Sequence, residues 1–145
     1  MKRTAQAHWS GNLKTGKGEI STQSETVKNV SYSFNKRFGT EPGTNPEELI
    51  GAAHAGCFAM AFSFELEKAG FTARDIDVEA QVNLENINNN WTVNRVNLVV
   101  NAQVPGASEE KIRTAAETAK ANCPISRLLN AEITMDLRTG KSMAA

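Results

Sequence analysis

The stretch NPEELIGAAHAGCFAMAFSF, residues 45–64, constrains this chain more than any other. Asn45 is a favoured N-cap, and Pro46 suits the first helical position, where a missing N–H costs nothing. Glu47 and Glu48 stand where the positive end of a helix dipole favours carboxylates, and Glu48 takes the third position of a capping-box start. The pattern predicts a helix from Pro46 to Lys68 or Ala69, with Gly70 as its C′ stop. Its middle is small on every face: Gly51, Ala52, Ala53, Ala55, Gly56, Ala59 and Ala61. A helix of that kind is expected to be central and buried, with close neighbours, although each interior glycine costs about 1 kcal/mol against alanine. The apolar run is interrupted by His54 and by glycine, and reads as short of the roughly 18–20 residues that cross a bilayer.

Strands and turns surround the helix. AQAHWSG and GEISTQS flank a Gly/Lys-rich loop, as in a hairpin, and SYSFNKRF reads as a third strand running into the irregular GTEPGTNP. Beyond the helix, Val78, Ala80, Val82 and Leu84 alternate with polar residues, and NINNN makes a turn. The apolar phase then slips by one residue near Asn94 and Arg95, which predicts a β-bulge. Ser108 caps a second helix whose inner stripe is Ile112, Ala115, Ala116 and Ala119. CPISRLLN starts a short third helix at Pro124, AEITMDLR is a last strand, and TGKSMAA is a frayed tail. The order is α+β. At 145 residues the chain fits one domain: strands and loop over 1–44, the central helix over 45–70, strands and helices over 76–138, and a tail over 139–145.

Charge narrows the function classes. Lys+Arg and Asp+Glu are both 16, and this balance gives no support for nucleic-acid or anionic-membrane binding. MKRTAQAHWSG lacks the apolar core of a signal peptide, so a cytoplasmic location is the expectation. There a pair of cysteines is more often catalytic, redox-sensing or metal-binding than a permanent disulfide.

The chain has two cysteines. Cys57 lies inside the long helix, about 18 Å by helical rise from the N-terminus that would activate it. Alone it reads as a packing thiol before it reads as a nucleophile. His54, three residues earlier on the same face, is one group able to activate it, though a lone histidine there reads more readily as a hydrogen-bonded core residue. Arg37 stands between Phe34 and Phe38, either as a solvated strand end or as a guanidinium over a pocket. Cys123 precedes Pro124, at an N-cap where free N–H groups and the dipole favour a thiolate and where residues tend to be exposed; a small residue in a tight turn is the equal alternative. Cys57, Cys123, His54 and His8 lack the paired spacing of structural zinc sites.

The runs GTNPEELIGAAHAGCFAMAF and ANCPISRLLNAEIT together resemble the OsmC branch of the OsmC/Ohr family of thiol peroxidases. The likeness covers most of the chain, and the paired motifs stand in the family's order. It implies that Cys57 is the peroxidatic cysteine, Cys123 the resolving cysteine, Glu47 the active-site glutamate, and Arg37 the arginine that the OsmC branch places twenty residues before the reactive cysteine. It further implies antiparallel sheets around a buried central helix, an intertwined homodimer with two interfacial sites, and organic hydroperoxide substrates. Recycling by an external dithiol, of which a lipoylated protein is one kind, is implied as well, with no metal, haem or flavin. Aromatic residues and Met60 near the motifs would supply an apolar pocket. Glu47 and Cys57 are ten residues apart on one helix, about 15 Å and 80°. A glutamate cannot span that distance, so Glu47 and Arg37 would serve the Cys57 of another subunit. Two rivals remain: a redox-sensing or small-ligand-binding dimer without turnover, and a zinc-binding module.

Overall fold

The computed structural model describes residues 1–140; residues 141–145 of the expected tail lie outside the described residues. Contacts group the chain into two units, Met1–Leu49 and Ile50–Ala145.

In the first unit, strands β1 (Ala5–Ser10), β2 (Lys17–Thr22) and β3 (Val30–Tyr32) form an antiparallel sheet in that order. The β1–β2 hairpin turns on Asn12, whose side-chain oxygen accepts from the backbone of Lys14 and Thr15 at 3.0 and 2.9 Å. Trp9, Gly18 and Tyr32 form one cross-strand row. The Trp9 and Tyr32 rings meet over the glycine with centroids 5.4 Å apart. A Cβ on Gly18 would overlap Tyr32 Cε1 and lie 2.7 Å from the Trp9 ring, so the row needs glycine at its centre.

The expected third strand ends early. β3 stops at Tyr32, and helix α1 (Phe34–Phe38) follows. Extended Ser33 caps α1, its hydroxyl accepting from the Lys36 N–H at 3.2 Å. Phe34 and Phe38 are four apart, so the spacing read as strand alternation also fits one helical turn, and their rings pack at 5.0 Å.

Helix α2 (Pro46–Lys68) begins as expected, with the Asn45 side chain accepting from the Glu48 N–H at 2.8 Å. It ends in a Schellman motif. Gly70 at φ +85° lets the Phe71 N–H reach Leu66 O and its own N–H reach Glu67 O, both at 2.9 Å.

In the second unit, β4 (Asp75–Ile87) and β5 (Asn90–Gln103) form a long hairpin closed by Asn88 and Asn89, both at positive φ. Asn83 pairs with Arg95 and Leu84 with Val93, leaving Asn94 as the bulge that the phase slip predicts. Helices α3 (Glu109–Asn122) and α4 (Pro124–Leu128) lead to β6 (Glu132–Thr139). Purely antiparallel sheets were expected, yet β6 pairs parallel to β5. The reason is the crossover: α3 and α4 carry the chain back before it re-enters the sheet, and a strand after such a connection runs parallel.

The core joins Phe58, Phe62 and Leu66 of α2, Val96, Leu98 and Val100 of β5, and Ile112, Ala115, Ala116 and Ala119 of α3. Gly51 brings α2 close to β4, where an added Cβ would stand 3.3 Å from Ala80 O and 3.4 Å from Val82 Cγ2.

Two expectations about α2 need correction. At 23 residues it is long and apolar enough, by length and composition, to cross a membrane, because His54 and the glycines do not interrupt it; it is the core helix here. Nor is it buried all round. One stripe (Gly51, His54, Phe58, Phe62, Leu66) is covered, while Met60 and Phe64 on the far side are 77% and 59% exposed.

Candidate active site

Cys57 follows from the seating of α2. It is next to fully buried Phe58, about 100° round the helix, and is therefore half-buried at the edge of the covered stripe. Cys123 sits at a joint. Its N–H closes α3 on Ala119 O at 2.8 Å, and Pro124 holds it out of the helical conformation at φ −53°, ψ 124°. The chain turns there, and α4 starts afresh.

This turn places the two thiols together. Both cysteines are free, and their sulfurs are 3.0 Å apart. A disulfide measures about 2.05 Å, so closure needs roughly 1 Å of approach. Cys123 stands at the N-cap of α4, one of its two readings, but it is wholly buried rather than exposed and makes no side-chain cap bond. It lies four residues beyond buried Ala119 and stays on the inward face of α3. Pro124 carries no N–H, and the Ile125 amide after it donates to the Cys57 sulfur. The amide at the start of α4 thus serves Cys57 rather than Cys123.

The Cys57 thiol has its pKa raised. Burial is the main cause and the hydrogen bond with Cys123 the next; the Ile125 amide works in the opposite direction by stabilising the thiolate. All of these groups belong to the second unit.

Arg37 and Glu47 pair within the first unit. Arg37 Nε donates to Glu47 Oε2 at 3.1 Å and Nη2 to Oε1 at 2.6 Å, a bidentate fork. The Glu47 side chain is only 12% exposed and the Arg37 side chain 35%. The guanidinium also lies 5.1 Å over the Phe38 ring. Arg37 lines a cavity of about 300 Å³ with Trp9, Leu13, Tyr32, Ser33, Phe34 and Phe38. Of the two readings of Arg37, the pocket is the one found.

The structure therefore gathers the four residues singled out in the sequence as two pairs, Cys57 with Cys123 and Arg37 with Glu47. Sequence reasoning missed two contributors. One is the Ile125 amide. The other is Ser126, whose hydroxyl lies 2.7 Å from His54 Nε2. The available signal was symmetry of spacing, since Ser126 follows Cys123 by three residues and His54 precedes Cys57 by three. Among the described residues, no three His, Cys, Asp or Glu side chains gather as a metal site.

Two adjacent free thiols on a core helix and a neighbouring turn, within an α+β fold, define a dithiol protein. Comparison with known proteins places it. Residues 39–138 match the family model for OsmC, described as OsmC-like protein. Peroxiredoxin OsmC of Escherichia coli is 46% identical over 136 residues, which cover 94% of this chain and 95% of that protein. Organic hydroperoxide resistance protein-like 1 of Staphylococcus saprophyticus is 30% identical, over 83% of this chain and 84% of its own. Among solved structures, the organic hydroperoxide resistance protein OhrB of Bacillus subtilis superposes with a TM-score of 0.73 at 25% identity, over 93% of this chain and 98% of that one. An OsmC-like protein of unknown function from Vibrio cholerae, at 16% identity, shares the fold with a TM-score of 0.77, over 95% and 99%. The chain belongs to the OsmC family.

His54 gives a testable consequence. Burial lowers its pKa below the ordinary 6.5. As pH falls through about 6.5, the unfolded histidine takes up a proton before the folded one does. Stability contributed by the neutral ring is complete above that pH and is lost below it. Denaturant midpoints between pH 8 and pH 5 are expected to fall more steeply for the wild type than for His54→Gln; parallel curves would contradict a buried neutral ring.

Proposed function

We infer that this protein is a cysteine-based peroxidase that reduces organic hydroperoxides to alcohols. The carrying observation is the 3.0 Å approach of the Cys57 and Cys123 sulfurs. The Cys57 thiolate attacks one oxygen of ROOH. The O–O bond breaks, ROH leaves after gaining a proton, and Cys57 becomes a sulfenic acid. Cys123 then attacks the Cys57 sulfur. The S–S bond forms, the S–O bond breaks, and the hydroxide departs as water with one proton. A dithiol such as a lipoylated protein restores both thiols by exchange and leaves as its own disulfide. The names of the relatives support the substrate class, and the location we assign is the cytoplasm, where free thiols persist.

Arg37 supplies what Cys57 lacks in its own surroundings. A half-buried thiol with a raised pKa ionises more readily beside a cation, and Glu47 holds the Arg37 guanidinium in a fixed orientation. Ten residues of α2 separate Glu47 from Cys57, about 15 Å, so we assign this pair to the Cys57 of a second subunit. Exposed Met60 and Phe64, with Ala53 and Gly56 on the same side of α2, supply an apolar and small-residue face for such a homodimer. The aromatic cavity beside Arg37 supplies a place for the organic part of the substrate.

Two outcomes test this reading. Cys57→Ser is expected to abolish reduction of cumene hydroperoxide with a dithiol, whereas Cys123→Ser consumes one peroxide per Cys57 and forms no intramolecular bridge. Peroxide consumption by Cys57→Ser would refute it. Arg37→Ala is expected to move the pH–rate profile for Cys57 oxidation to higher pH, because less thiolate is present at any given pH; an unshifted profile removes Arg37 from thiolate stabilisation.

A further inference from the structure

The proposed cycle leaves His54 unused. It is wholly buried, its Nε2 lies 2.7 Å from Ser126 Oγ, and among the described residues its Nδ1 has no hydrogen-bond partner. An apolar side chain in that place would avoid the cost of burying a polar ring. What the contact places therefore matters more than the stability it adds.

Its position is specific. His54 and Cys57 are three apart on α2, and Cys123 and Ser126 are three apart at α4. Contacts 54–126 and 57–123 are thus two rungs between the same two segments, one turn apart, running in opposite directions along the chain. The segment bearing Cys123 needs such a hold. α4 has five residues, Leu128 on it is 74% exposed, and Ile125 and Leu129 are only partly buried against the core. A helix that short has little stability of its own.

We propose that His54 and Ser126 form a positioning pair that sets the rate of the second chemical step, the attack of Cys123 on the Cys57 sulfenic acid, by tying α4 to α2 one turn from the sulfurs. The inference rests on the peroxidase reading above. Neither residue touches the reacting atoms. A buried N–H without an acceptor is costlier than a buried lone pair, so the neutral ring carries its hydrogen on Nε2 and donates it to Ser126 Oγ. With the rung in place, Cys123 stays within about 1 Å of bonding distance while Cys57 gains and loses its oxygen. Without it, α4 pivots at the Cys123–Pro124 joint, and the sulfenic acid lives longer.

The test separates the two steps. Reduced full-length protein receives one equivalent of cumene hydroperoxide and is quenched at intervals. Cys57 sulfenic acid, captured by a carbon nucleophile, and the Cys57–Cys123 disulfide are counted by mass spectrometry. Ser126→Ala is expected to form sulfenic acid at the wild-type rate and to close the disulfide on the order of ten- to a hundred-fold more slowly, the scale of a misplaced reacting group. Ser126→Thr and His54→Gln, which keep a hydroxyl or an N–H at the rung, are expected to recover most of the loss. Disulfide closure by folded Ser126→Ala at the wild-type rate overturns the proposal, and so does equal slowing of both steps. If Ser126→Ala does not fold, His54→Gln against His54→Asn decides, since the shorter amide falls one bond short of Ser126; equal closure rates overturn it. A wild type that forms neither sulfenic acid nor disulfide refutes the peroxidase reading instead. The pair is then judged by disulfide closure with an aromatic disulfide as oxidant, and equal rates in wild type and Ser126→Ala refute it independently.

Discussion

Phe58, Phe62 and Leu66 are removed from solvent altogether, in one cluster with Val96, Leu98 and Val100 of β5. Each such side chain contributes roughly 1.5–3 kcal/mol on burial, enough together to fix how α2 is turned about its axis. Every position on the helix inherits its role from that setting. His54 falls within the covered stripe, Cys57 at its edge, and Gly56, Met60 and Phe64 on the far side. Half-burial lets the Cys57 thiol meet buried Cys123 while staying partly exposed to solvent.

The same burial that brings the thiols together opposes ionisation of Cys57, the thiol that reacts in the proposed cycle. The Ile125 amide offsets part of this within the second unit, because Pro124 makes it the first amide available at the start of α4. The remainder falls, in our reading, to Arg37. Its guanidinium is already committed to Glu47 through two parallel bonds and rests on Phe38. A cation held in that way spends little further entropy on facing a thiolate or a peroxide oxygen.

Much of this was legible in the sequence wherever the signal was local. The Asn45 cap, the Gly70 stop, the bulge at Asn94, the Ser108 cap and the alanine stripe of the second helix each depend on residues within a turn or two. The Phe34–Phe38 helix was hidden because Tyr32, Phe34 and Phe38 satisfy both strand and helix spacing, and the Ser33 cap decides between them. The parallel β5–β6 pair depends on the return path of two helices, and the burial of Cys123 on which face of α3 meets the core. For the site, the motifs singled out all four candidate residues. They did not show Ser126 or the Ile125 amide, since these act through contacts with α2 far away in the chain, 72 residues in the case of His54 and Ser126. One side of α2 is open in the single chain: small residues all round say that neighbours can come close, and within this chain one stripe of the helix is covered.

In our reading, one active site takes its thiols from one subunit and its arginine from the other. Purified heterodimers with Arg37→Ala in one subunit and Cys57→Ser in its partner test it most directly. Assembled across subunits, one site of the two keeps both Cys57 and Arg37, and the heterodimer is predicted to turn over hydroperoxide at about half the wild-type rate per dimer. Activity no higher than that of the Arg37→Ala homodimer would contradict the claim.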